Sequence, residues 1–98
     1  MILYRRVDRA EAEAIFERGF EDRAGEYMTG TIHRGVFVSD VPLDCNEGAW
    51  GDVLVEIAVD MPESALGEWE WEEEGKPYRE WQIPAKILNA HARVRVIE

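Results

Sequence analysis

A single cysteine, Cys45, stands among 98 residues. The chain can close no disulfide on itself and suits a reducing compartment. The two histidines, His33 and His91, lie far apart in sequence. One Cys and two separated His give no zinc-ligand spacing, so no metal site is expected. No stretch approaches the roughly eighteen consecutive apolar residues of a membrane-spanning helix. The opening MILYRRVDRAEAE turns charged at once and lacks the apolar segment of an export signal, so a cytoplasmic protein is expected. Basic residues are scarce as well: 11 Lys and Arg against 21 Asp and Glu, a formal charge of −10. Such a surface is repelled by a nucleic-acid backbone and by anionic lipid, and neither is expected as a partner. GxSxG, Walker and GxGxxG patterns are all missing. His33 has no nucleophile beside it, and the acids around Cys45 disfavour a thiolate.

What is present points to one folded domain over residues 1–98. The hydrophobic fraction is 46%, with four Trp, three Tyr and three Phe, too apolar for disorder and too short for two cores. The acid is concentrated: Glu63, Glu68, Glu70, Glu72, Glu73 and Glu74 fall in one short stretch, interleaved with Trp69 and Trp71. A like-charge run is ordinarily a solvated face. The sharper reading is a surface that meets a basic protein partner. Glu68–Glu72 is expected as an edge strand, with its tryptophans on one side and its glutamates on the other.

Hydrophobic periodicity predicts a strand-rich α+β domain of five or six short strands and one main helix. Met1–Val7 reads as a strand. Asp8 caps a helix with Glu11 as its capping-box partner, and Gly19 ends it, with Ile15 and Phe20 spaced for a Schellman contact. Arg23–His33 reads as a loop, Gly35–Ser39 as a buried strand, and Val41–Gly51 as a second loop. In Val53–Asp60 the odd positions from Val53 to Val59 alternate inward. Pro62–Leu66 and Pro84–Asn89 suit short helical turns; Arg79–Ile83 and Arg93–Ile97 read as strands.

Three blocks carry the chemistry: Leu3-Tyr4-Arg5-Arg6, Gly35-Val36-Phe37-Val38-Ser39-Asp40, and Tyr78-Arg79-Glu80-Trp81-Gln82-Ile83-Pro84. In this order, and with Gly51–Val59 between the second and third, they resemble the ADP-ribosyltransferase fold, in its poly-ADP-ribose polymerase and small mono-ADP-ribosyltransferase forms. The resemblance implies NAD as substrate and Glu80 as the catalytic glutamate, which would accept a hydrogen bond from the ribose 2′-hydroxyl. Arg5 matches the first-strand Arg or His and would face the dinucleotide. Ser39 falls near a structural Ser of one branch. Arg6 stands where the polymerase branch has Gly, and Tyr78 where the arginine-modifying branch has Gln or Glu, which argues against arginine as the acceptor.

The physical case for Glu80 is independent of the resemblance. Breaking an N-glycosidic bond develops positive charge on the ribose, and a nearby carboxylate stabilises that charge more than it does the ground state. Trp81 and Tyr78 are expected to form a dry wall around it. Tyr4 would line the pocket, and Phe37, Trp50 and Tyr27 are candidates to stack on nicotinamide. Each has a plainer alternative: Glu80 paired with Arg79 or Lys76, Arg5 paired with a surface acid, Ser39 serving a turn, the aromatics serving the core. Two functions therefore stand open at this point. One is an ADP-ribosyltransferase or NAD-cleaving enzyme; the other is a non-catalytic acidic protein that engages a basic partner. Whether Arg5 and Glu80 share one cleft separates them.

Overall fold

The computed structural model describes residues 1–26, 32–43, 46, 49–71 and 75–97, with the backbone alone described over 23–26 and 32–34. In chain order the described elements are β1 (Ile2–Val7), α1 (Arg9–Arg18), β2 (Arg23–Glu26), β3 (Ile32–Ser39), β4 (Val53–Val59), a 3-10 helix (Glu63–Trp69), β5 (Glu70–Trp71), β6 (Glu80–Ile83), α2 (Ala85–His91) and β7 (Ala92–Val96). The strands form one antiparallel sheet in the order β5-β6-β3-β1-β4-β7, and β2 joins the first half of β3. This is an α+β domain.

One face of the sheet carries the core. Leu3 and Val7 of β1, Val36 and Val38 of β3, Val55, Ile57 and Val59 of β4, and Trp81 and Ile83 of β6 are buried there. Ala12 and Ile15 of α1, Phe20 just after it, Ala85 and Leu88 of α2, and Leu66 of the 3-10 helix complete the cluster. The odd positions of β4 face inward, as the alternation predicts. Leu54 departs from that pattern: it is buried on the opposite face, outside this cluster. Its register partner Arg6 donates from Nε to the Leu43 carbonyl at 2.7 Å, so the chain after β3 lies against this end of the sheet.

Side chains from distant parts of the sequence hold the helices. Asp8 caps α1 by accepting from the Glu11 amide at 2.7 Å. The Glu11 carboxylate, the capping-box partner by sequence, accepts from Arg5 Nε at 2.8 Å. Gly19 ends the helix at φ 88°, a conformation that costs glycine little. The Phe20 amide, which a Schellman ending would return to the helix, instead donates to Asn89 Oδ1 at 2.7 Å. Asn89 Nδ2 donates back to the Phe20 carbonyl at 3.0 Å. Two residues on, Asp22 Oδ1 accepts from the Ala85 amide at 2.8 Å and caps α2, which has no cap of its own. Residues 19–22 therefore clamp α2 at two points.

Three expectations from sequence need correction. Arg23–His33 is not simply a loop: its ends form β2 and the start of β3, paired Arg23 to Gly35 and Glu26 to Ile32. The Pro62 turn extends through Trp69, so β5 is only Glu70–Trp71. Pro84 leads into a full α-helix that reaches His91. The loop around Cys45 and the glutamates 72–74 fall outside the described residues, as does Tyr27.

Close approach makes Gly51 irreplaceable. At φ 135° a Cβ added here would fall on the Val7 carbonyl, so any side chain would collide with the end of β1. Two measurements check this account. In a urea titration, Ile57→Asn should lose about 3–5 kcal/mol, through lost apolar contact and a buried amide. Glu56→Gln should leave the midpoint nearly unchanged, because its partner Arg95 is exposed. Asn89→Ala should lower stability by about 1–3 kcal/mol, since it strips both polar groups of the Phe20 backbone of their partners.

Candidate functional site

The three sequence blocks fall on adjacent strands. Tyr4 pairs with Ser39 between β1 and β3, and Ser39 pairs with Glu80 between β3 and β6. Directly opposed residues in antiparallel strands present their side chains to the same face. Tyr4, Ser39 and Glu80 thus form one lateral row on the face away from the helices. The row continues on both sides: Trp71 of β5 stands opposite Glu80, and Glu56 of β4 stands opposite Tyr4. Phe37 and Gln82, a register pair of their own, lie two residues along on the same face.

The backbone beneath Glu80 is held firmly. The Arg79 amide donates to Asp40 Oδ1 at 3.0 Å, and the Asp40 amide donates to the Arg79 carbonyl at 3.1 Å. This continues the β3–β6 ladder one residue past Ser39 and sets the direction of Glu80. Lys76 Nζ then donates to Glu80 Oε1 at 3.2 Å and lies 5.3 Å from the centre of the Tyr78 ring. Glu80 is half-buried, its side chain 15% exposed. Ser39 is buried and donates from Oγ to the Val41 carbonyl at 2.6 Å, so its hydroxyl closes the turn after β3.

Arg5 is not in this row. Alternation puts it on the helix-covered side with Leu3 and Val7, opposite Val55. Its Nε holds Glu11, and its Nη1 donates to the Phe37 carbonyl at 3.0 Å. The latter contact fills a gap. β1 and β3 share only the Tyr4–Ser39 pair, and beyond it the guanidinium supplies the donor that β1 would otherwise provide. Arg5 and Glu80 therefore do not meet face to face across a shared cleft.

Trp81 also faces the other way. It is fully buried in the core, with the Arg79 guanidinium 4.8 Å from its ring centre. Arg79 in turn holds Glu70 through two hydrogen bonds, at 2.6 and 2.9 Å, and pairs with Glu63. The aromatic beside Glu80 on its own face is Trp71. Consequently Trp71 does not share a side with Trp69, which packs on the core. Tyr4, Phe37 and Tyr78 are half-buried. Trp50 is 73% exposed in the loop before β4.

Sequence reading missed Gln82 as a site residue, although the two-residue strand period from Glu80 marks it. Gln82 is 8% exposed, and its side-chain nitrogen is buried without a hydrogen-bond partner. An orphaned amide of this kind costs roughly 1–3 kcal/mol. At the far end of the row Arg95 forks onto Glu56 at 2.9 and 3.2 Å. That hydrogen bond, then the carboxylate's charge, raises the guanidinium pKa above its ordinary value. Among the described residues no group of three His, Cys, Asp or Glu side chains is placed to hold a metal ion. No described helix is long and apolar enough to cross a membrane.

No family model matches the chain, and neither a curated protein nor a solved structure is detectably similar to it.

The differing roles of the two cations at this site are measurable. Arg5→Met removes the hydrogen bonds that Arg5 gives to Glu11 and to the Phe37 carbonyl. It should cost about 1–3 kcal/mol in a urea titration, the scale for a partly buried charged hydrogen bond. Lys76→Met removes a single, longer contact, at 3.2 Å to Glu80, and should cost less, about 1 kcal/mol.

Proposed function

We propose that this protein binds NAD across the Tyr4–Ser39–Glu80 row and cleaves its nicotinamide–ribose bond, as an ADP-ribosyltransferase or NAD-cleaving enzyme. One observation carries the reading: three blocks far apart in sequence lie on the neighbouring strands β1, β3 and β6, with one residue of each in register. The blocks are those that resemble the ADP-ribosyltransferase fold. Their side-by-side arrangement is what a shared ligand would require. Arg5 lies on the other face, so the cleft shared with Glu80 that would have marked an enzyme is not formed, and the reading stands on Glu80 and this row without Arg5.

In this mechanism the C1′–N bond breaks and its electron pair leaves with nicotinamide as a neutral pyridine. The ribose is left with a developing positive charge, which the Glu80 carboxylate stabilises. An acceptor hydroxyl, amine or water then adds at C1′ and gives up its proton to solvent water. Glu80 suits this role because Asp40 holds its backbone and Trp71 walls one side, so little reorganisation is needed as charge develops. Lys76 holds the carboxylate in the ligand-free protein, and it becomes the cation nearest the dinucleotide's diphosphate. Arg5 acts through the backbone, bracing the β1–β3 junction that carries the row. A cytoplasmic setting, suggested by the lone Cys45, would supply the substrate.

A second reading draws on a different surface. A shallow apolar groove of about 570 Å³ runs between α1 and the ends of β4 and β7, floored by Ala12, Phe16, Val53 and Val96. Phe16 is 55% exposed, and Arg9, Glu13 and Glu17 rim the groove. Two acids against one base favour a partner with an apolar face and a basic flank. Part of the Glu63–Glu74 acid, by contrast, is already paired with Arg79.

The test of the NAD reading is nicotinamide release by the wild type and by Glu80→Gln. The variant should keep its fold and most of its NAD affinity and lose about a hundredfold or more in turnover, the scale for one preorganised electrostatic group. Equal turnover by both proteins would remove Glu80 from the chemistry.

A further inference from the structure

We propose that Gln82 recognises the leaving base, its side-chain amide pairing with the carboxamide of nicotinamide while Glu80 faces the ribose. The inference rests on the NAD reading given above and names the group that would select the base at that site.

Gln82 and Glu80 share a face, because they stand two residues apart on β6. At about 3.3 Å rise per residue their Cα atoms are about 7 Å apart along the strand. A ribose edge and an amide borne on the ring attached to that ribose are separated on the same scale. Phe37 stands opposite Gln82 in register and is half-buried, which sets an aromatic ring beside the amide.

The state of the Gln82 amide is the second observation. The residue is more than nine-tenths buried, yet its nitrogen donates to nothing. Buried polar groups are ordinarily partnered, and a side chain serving only to pack would be better apolar. Among the described residues Trp81 has the other such nitrogen, but Trp81 points into the helix-covered core. The neighbouring strand also makes room for Gln82: a Cβ on Gly35 would lie 2.9 Å from Gln82 Cγ. In the free protein the donor is covered, so seating the base requires the amide to turn outward by a rotamer change. It then offers one donor and one acceptor, the complement of a carboxamide. A carboxylate in the same place has no N–H to give.

The experiment compares NAD with its nicotinic-acid analogue, measuring base release by the wild type, Gln82→Met and Gln82→Glu. The wild type should prefer the amide. Gln82→Met should lose at least tenfold of that preference, chiefly through KM, with its thermal midpoint kept or raised. Gln82→Glu should weaken the acid analogue further by like charge. A preference unchanged in both variants would overturn the role of Gln82 and leave the NAD reading standing. Neither binding nor cleavage of NAD by the wild type would overturn both.

Discussion

The two halves of the sheet meet at one registered pair, Tyr4 opposite Ser39. On one side lie β3, β6 and β5; on the other lie β1, β4 and β7. The β1–β4 pairing is registered at six positions and the β3–β6 pairing at four, so each half is well tied within itself. Past the junction the strands part. Arg5 bridges the opening by taking the Phe37 carbonyl while Glu11 of α1 holds its other edge. A cation on the covered side of β1 thus does part of the work of a ladder hydrogen bond. The row that carries Glu80 is aligned only because this junction holds.

Elements with strong local signals were legible in the sequence. The β4 alternation named its inward residues correctly, and the Asp8 cap and Gly19 end of α1 lie where the residues place them. The strand expected over Arg79–Ile83 is present as β6, one residue shorter at its start and ending at Ile83 as expected. What escaped depends on partners remote in the chain. Nothing near Phe20 says that its amide belongs to Asn89, sixty-nine residues away, or that Asp22 caps α2. The β2 strand gains its identity from pairing with β3 and not from its own composition. Leu54 looked outward by period and is nevertheless buried, on the face away from the helices.

The candidate site was legible in its members more than in their directions. Adjacent strand residues point to opposite faces, and that rule moves Arg5 away from Tyr4 and Trp81 away from Glu80. Applied strictly, it replaces Trp81 by Trp71 as the wall beside Glu80 and brings in Gln82. The acidic run similarly changes meaning in three dimensions. Glu63 and Glu70 converge on Arg79, and Arg79 covers the buried Trp81 ring. These two acids anchor the 3-10 helix and the sheet edge to β6, so some of the negative charge is structural.

The central claim is that β1, β3 and β6 present one ligand site on the face away from the helices. Amide chemical shifts of the isotopically labelled protein, followed while NAD is added, test it most directly. The account predicts saturable shifts at Tyr4, Phe37, Ser39, Glu80 and Gln82 together. Shifts confined to Ala12, Phe16 and Val96 at the α1 groove, or no shifts at all, would contradict it.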